Sequence, residues 1–219
     1  MLPRAVLFDL DGTLIDSIPL ILSSMQAAFA GHPRPPSVAE WTALIGTPLD
    51  AMIRRWAVDE ADVERVKERY KTHQWAHHDA MVRAFPGVPE MLATLRARGI
   101  RMAVVTSKLE PSARRSLDFL GLSGHFELVV GLEATERHKP DPAPVHHAVD
   151  ALGARPGEAA FVGDSPHDVE AGNAAGVATV ATLWGPFSRE QLARARPRAW
   201  AERVEDVLPA LEGLGIPGL

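Results

Sequence analysis

The chain has 219 residues, more than one minimal domain and fewer than two full ones, so one main core with a smaller partner is expected. Its 23 basic and 28 acidic side chains leave a formal charge of −5, which argues against a dedicated nucleic-acid binder, and 46% hydrophobic residues suffice for a sizeable core. There is no cysteine, which excludes disulfides, thiolate metal sites and a cysteine nucleophile.

The first segment, MLPRAVLFDLDGT, reaches Asp9 after only a few apolar residues, so no signal peptide is read. No stretch approaches the ~20 apolar residues of a membrane span. The expectation is a soluble cytoplasmic protein with no membrane partner.

The run AVLFDL (5–10) is valine- and leucine-rich without polar alternation, as expected of a strand covered on both faces. The next 65–70 residues hold no strand pattern, only amphipathic helix. Ser17 is placed to cap a first helix through SMQAAFA, with Pro19 in its first turn. After the break HPRPP, Ser37 and Glu40 form a capping-box pattern for a second helix, and EADVERVKERYKTHQWAHHDAMV reads as a third.

Beyond residue 83 strands and helices alternate. RMAVVT (101–106), FELVVG (126–131), AAFVGD (159–164) and VATVATLW (177–184) are the strands; PEMLATLRARG, PSARRSLDFLGL, PAPVHHAVDALG and HDVEAGNAAG are the helices between and around them. This order predicts an α/β fold with a doubly wound parallel sheet. Residues 1–15 and 83–219 form the core, and residues 16–82 form an all-helical cap inserted after the first strand.

Ligands of open parallel sheets bind at the carboxyl ends of strands. The first strand delivers Asp9 and Asp11, followed by Gly12 and Thr13. The second delivers Thr106, Ser107 and Lys108, and the fourth Asp164, with Asp168 four residues on; Lys139 precedes the helix before it. Singly, each has a plain structural reading: Asp-Gly is turn chemistry, Asp168 could close a capping box on Ser165, and Lys139 could be solvated. Together, carboxylates crowded at one edge would repel unless a cation joins them. An all-oxygen set of this kind suits Mg2+.

DLDGT (9–13), VVTSK (104–108), HKPDP (138–142) and VGDSPHD (162–168), in this order and strand placement, resemble the haloacid dehalogenase superfamily, and the insertion resembles its helical-cap subgroup. The resemblance implies an enzyme, a magnesium-dependent phosphatase with Asp9 as nucleophile and Asp11 as acid–base. The metal would be held by Asp9, the Asp11 carbonyl and Asp164, with Asp168 positioning a bound water. Thr106, Lys139 and the backbone amides from Leu10 to Gly12 would cradle the transferring phosphoryl group.

Rival readings are a dehalogenase, a sugar-phosphate phosphatase or phosphomutase of the same superfamily, and a non-catalytic phosphate-binding module. Asp11 beside Gly12 favours phosphoryl chemistry over halide displacement. Cap length and the IGTPL loop (45–49, with Gly46) resemble phosphoglycolate phosphatases. AHHD, VVTSK and WGPFSREQL are similar to bacterial inorganic pyrophosphatases of that group; SPHD and the Pro-rich cap loop depart from it. The expected partner is therefore a small phosphorylated molecule, pyrophosphate ahead of 2-phosphoglycolate. Lys108 is placed to take its second anionic group. His73 and His77 share a helical face at i, i+4 and could bind a metal or anion, although a solvated helix surface is the simpler expectation for both; for His78 no role is read. Arg54, Arg55, Arg65 and Lys67 are expected to face solvent. Monomer and homodimer are both compatible with the sequence.

Overall fold

The computed structural model describes residues 2–216; residue 1 and residues 217–219 of the expected core lie outside the described residues. In chain order, β1 (Ala5–Phe8) leads into a short β2 (Ile15–Asp16), then four helices, α1 (Ile18–Ala28), α2 (Val38–Thr42), α3 (Leu49–Arg54) and α4 (Glu60–Met81). After β3 (Arg83–Ala84) come α5 (Val88–Ala97), β4 (Arg101–Val105), α6 (Glu110–Phe119), β5 (Leu128–Val130), α7 (Ala143–Ala151) and β6 (Ala159–Gly163). The chain closes with α8 (Pro166–Ala174), β7 (Ala178–Thr182), α9 (Arg189–Arg194), β8 (Ala199–Ala201) and α10 (Val207–Gly213).

The main sheet is wholly parallel, in the order β5-β4-β1-β6-β7-β8. The first strand is central, flanked by β4 and β6, so three motif-bearing strands end side by side where the connection order reverses. Alternate residues of β1 enter different cores. Val6 and Phe8 pack with Val104 and Val162, while Ala5 and Leu7 pack with Val105 and Phe161 on the other face. Burial on both faces is why these strands carry no polar alternation.

Helices α1–α4 lie between β2 and β3, which pair antiparallel with Ile15 opposite Ala84 and Asp16 opposite Arg83. Their core is aromatic: Trp41 lies 5.8 Å from both Phe29 and Trp56 and 6.2 Å from Tyr70, ring centre to ring centre. The Ser37–Glu40 capping box forms as expected at α2. The Pro-rich loop is pinned by His32, whose Nε2 lies 2.8 Å from the buried Asp62 at the start of α4.

Some elements depart from expectation. Ser17 precedes α1, but with φ −117° and ψ −1° it lacks the extended backbone of a capping residue and its hydroxyl makes no cap, donating to Asp11. The last expected strand, 177–184, ends at Thr182, and β2, β3, α3, β8, α9 and α10 were not read from the sequence. Among the described residues no helix is long and apolar enough to cross a membrane.

Candidate active site

The ladder carries the first two motifs past their strands: the Asp9 amide donates to the Val162 carbonyl at 2.9 Å and the Thr106 amide to the Val130 carbonyl at 3.0 Å. Both side chains are thereby held at the sheet edge, and both are buried. The turn after Asp9 folds on the Leu10 carbonyl, which accepts from Leu14 at 3.0 Å and Ile15 at 3.1 Å. The Gly12 amide donates to the Ile15 carbonyl at 2.9 Å and the Thr13 amide to Leu10 at 3.3 Å. Of the amides from Leu10 to Gly12 expected to form a cradle, that of Gly12 is engaged within the turn.

Lys139 organises the centre. Its Nζ donates to Asp9 Oδ1 at 2.8 Å, to Asp168 Oδ1 at 2.6 Å and to the Val105 carbonyl at 3.0 Å. The other oxygen of Asp168 accepts from the Ser165 amide at 3.0 Å and hydroxyl at 2.7 Å and closes the capping box of α8. Asp164 accepts the Thr13 hydroxyl.

Asp9, Asp164 and Asp168 each bring an oxygen within 4.8 Å of the others, and all three are buried. Burial, only partly offset by Lys139, pushes the Asp9 carboxyl up to about 7, with the charge of Asp168 adding to the rise. Burial and the charges of Asp9 and Asp168 hold Asp164 well above the usual carboxylate range. Burial pulls Lys139 down, but the Asp168 and Asp9 carboxylates outweigh it and keep the ammonium charged. Three carboxylates against one ammonium leave negative charge that burial makes costly, and the donors are all hard oxygens. That set fits a small divalent cation.

The space around Asp164 is closed by glycines. A Cβ on Gly12 would lie 2.5 Å from Asp164 Oδ2, and one on Gly185 would lie 2.4 Å from the same atom. Trp184, beside Gly185, donates its Nε1 to the Thr13 carbonyl at 3.0 Å and fixes the motif turn from outside.

The first motif's second carboxylate faces a different way. Asp11 Oδ1 accepts from Lys108 Nζ at 2.6 Å and from the Ser17 hydroxyl. Lys108, expected to take a second anionic group, is paired here with Asp11. Ser107 also turns from the centre, donating to the Gly46 carbonyl of the IGTPL loop at 2.6 Å. Gly46 has φ +97°, and a Cβ there would lie 3.1 Å from Ser165 Oγ, so any other residue would strain the loop where it meets the core. In the sequence Ser17 reads only as a cap, and Trp184 and Gly185 only as part of the WGPFSREQL resemblance; no local pattern marks their contacts with Asp11, Thr13 and Asp164.

A family profile for haloacid dehalogenase-like hydrolases matches residues 6–182, which hold all four motifs. The chain belongs to the haloacid dehalogenase-like hydrolase family. It is an enzyme of that family, and its relatives cover most of its length. Pyrophosphatase PpaX of Halalkalibacterium halodurans is 39% identical over 177 residues, 80% of this chain and 81% of that protein. Phosphoglycolate phosphatase 1 of Pseudomonas aeruginosa is 32% identical over 220 residues, 96% of this chain and 80% of that protein. A Haemophilus somnus crystal structure, described as a predicted phosphoglycolate phosphatase, superposes with a TM-score of 0.86 at 27% identity, covering 94% of this chain and 96% of that one.

In this haloacid dehalogenase-like hydrolase a cavity of about 660 Å3 lies between sheet edge and helical insertion. Asp9, Asp11, Thr106 and Lys108 line it from the core, Gly46 and Tyr70 from the insertion. Arg54 and Lys67 also reach it, each already paired: Arg54 with Glu60, Lys67 with Asp50 at 2.8 Å and Glu64 at 3.0 Å. Arg65 pairs with Asp62, and Arg55 is exposed. His73 and His77 do share a face, but their rings stack 4.0 Å apart, with His73 on Ser24 and His77 on the His73 carbonyl. His78 is buried, with Nε2 2.8 Å from Ser116 Oγ of α6.

Proposed function

We propose that this hydrolase is a magnesium-dependent phosphatase that works through an aspartyl-phosphate on Asp9, with residues 16–82 acting as a cap over residues 1–15 and 83–219. The observation that carries this reading is the buried group of Asp9, Asp164 and Asp168 within 4.8 Å, gripped by Lys139. Asp9, the Asp11 carbonyl and Asp164 would hold the cation, with Asp168 behind them. Once bound, Mg2+ would supply charge compensation for a carboxylate approaching a phosphate dianion.

The chain's own residues do the rest. Lys139 keeps Asp9 oriented and offers positive charge to the transferring oxygens, where stabilisation counts most. Thr106 adds a hydroxyl donor, and the Leu10 and Asp11 amides complete the cradle. Asp9 takes the phosphoryl group as the bond to the leaving oxygen breaks, and Asp11 gives that oxygen a proton. Asp11 then takes a proton from the water that releases phosphate from Asp9, so one difficult step becomes two easier ones. Ser17 and Lys108 hold Asp11 in place for both transfers.

The substrate we favour is a small phosphoanhydride or phosphocarboxylate, pyrophosphate ahead of 2-phosphoglycolate, as the names of the 32–39% identical relatives suggest. A sugar phosphate is the second reading: about 660 Å3 is in the range of cavities that hold drug-sized molecules and exceeds what pyrophosphate fills. Phosphate release from a panel of these compounds, with and without Mg2+, tests the proposal. Mass spectrometry of acid-quenched enzyme should find one phosphoryl group on Asp9, absent in Asp9→Asn. Turnover in excess chelator, or full activity of Asp9→Asn, would refute the mechanism.

A further inference from the structure

The cavity wall contributed by α4 carries Lys67, Tyr70, Lys71 and Gln74, spaced to form one face of the helix. Four cationic side chains reach the cavity: Arg54, Lys67, Lys71 and Lys108. Arg54, Lys67 and Lys108 each hold a carboxylate, on Glu60, on Asp50 and Glu64, and on Asp11. Lys71 makes no ion pair among the described residues, and it stands next to Tyr70 in the chain.

Tyr70 is 5% exposed, its ring tilted against Trp41. Its hydroxyl oxygen accepts from Gln74 Nε2 at 3.4 Å, and among the described residues its own proton has no acceptor. A buried O–H without an acceptor forfeits a hydrogen bond that a ligand in the cavity could supply. The donation from Gln74 polarises that O–H further. Burial, and next the negative charge of Asp11, push the Tyr70 phenol up, so it remains a neutral donor, within range of the acid–base carboxylate.

We propose that Tyr70 and Lys71 form a subsite for a small oxyanion on the leaving group: the second phosphate of pyrophosphate or the carboxylate of 2-phosphoglycolate. The proposal rests on the phosphatase reading above and deepens it by assigning leaving-group recognition to α4 instead of Lys108. Tyr70 donates one hydrogen bond from the buried side, and Lys71 supplies the charge from the open side. Neighbouring side chains on a helix diverge by about 100°, so the two grip an anion from different directions. The apolar neighbours Ile21, Ile45 and Met52 donate no hydrogen bond to an anion there.

The test compares kcat/KM of wild type, Tyr70→Phe and Lys71→Gln on pyrophosphate, 2-phosphoglycolate and phenyl phosphate, with Mg2+ in excess. Tyr70→Phe keeps the ring against Trp41, so its thermal midpoint should stay near that of wild type. In each variant the preference for the anionic leaving group over phenolate should fall about 10- to 100-fold, the size of one hydrogen bond to a charged acceptor. A fall with pyrophosphate alone assigns the subsite to phosphate, and a fall with 2-phosphoglycolate alone assigns it to carboxylate; either supports the proposal. An unchanged preference in both variants overturns it. If wild type hydrolyses none of the three, the phosphatase reading falls, and calorimetric titration with methylenebisphosphonate decides the subsite separately. Weaker binding by both variants than by wild type upholds it; equal binding refutes it.

Discussion

Lys108 Nζ lies 2.6 Å from Asp11 Oδ1, and both side chains are mostly withdrawn from solvent. This pair joins the second strand motif to the first, across 97 residues of chain. On the proposed mechanism, a lysine paired in this way would position the acid–base carboxylate. Lys108→Ala should therefore lower kcat on phenyl phosphate and pyrophosphate alike, by roughly the 10²-fold that a displaced catalytic group costs. Steady-state kinetics on the two substrates check this. A loss confined to pyrophosphate would return Lys108 to the anion-binding role suggested by its sequence position.

The crowded carboxylates make stability depend on pH and metal. Asp9, pushed up to about 7, and Asp164, held well above its ordinary range, keep protons in the folded state that the unfolded chain loses near pH ~4. Their contribution is fully present below pH ~4; that of Asp9 is lost as pH rises through about 7 and that of Asp164 falls in the same direction, so metal-free protein should weaken as pH rises. Thermal melts in chelator, from about pH 5 to about pH 8, should show the midpoint gained on adding Mg2+ growing with pH. Asp164→Asn should melt above wild type in chelator at the upper end of that range and gain little from Mg2+. A pH-independent Mg2+ effect would contradict this account.

Gly185 is the sharpest steric test. A Cβ there would lie 2.4 Å from both Cβ and Oδ2 of Asp164, whereas one on Gly157 would meet nothing within 4 Å. Gly185→Ala should cost ~1–3 kcal/mol of stability, the usual price of overpacking, and weaken Mg2+ binding. Gly157→Ala should do neither. Chemical denaturation and Mg2+ titration of the two variants make the comparison.

The helical insertion should swing about the β2–β3 pair to admit substrate and exclude water. Ser116 Oγ holds His78, three residues before the end of α4, whereas the contact from Ser107 to the Gly46 carbonyl belongs to the loop between α2 and α3. Opening should break the second and spare the first. Ser107→Ala should raise KM several-fold, since one hydrogen bond is worth about 1 kcal/mol, and leave the melting midpoint nearly unchanged. Hydrogen exchange should rise in residues 45–49 and not around His78. Equal exchange in both regions would argue against a hinge at the strand pair.

The amino-acid sequence by itself determined the parallel sheet, the helical insertion and the set of carboxylates at the sheet edge. These are local signals. A strand buried on both faces must be apolar throughout, as 5–8 and 101–105 are in large part, and a capping box is written within four residues, as at Ser37–Glu40. Only the tertiary structure decided who partners whom. The two-residue strands β2 and β3 are too short for any periodicity, and the edge strand β8, AWA, is half exposed at two of its three positions. Ser17 turns from its expected cap to Asp11, and Lys108 turns from a prospective ligand to the same carboxylate. Among the described residues the Tyr70 proton has no acceptor, in a cavity its helix shares with Asp11, 59 residues earlier in the chain. A charged or polar side chain goes to whichever partner the fold brings near, and that depends on contacts between residues far apart in the chain, which no local pattern encodes.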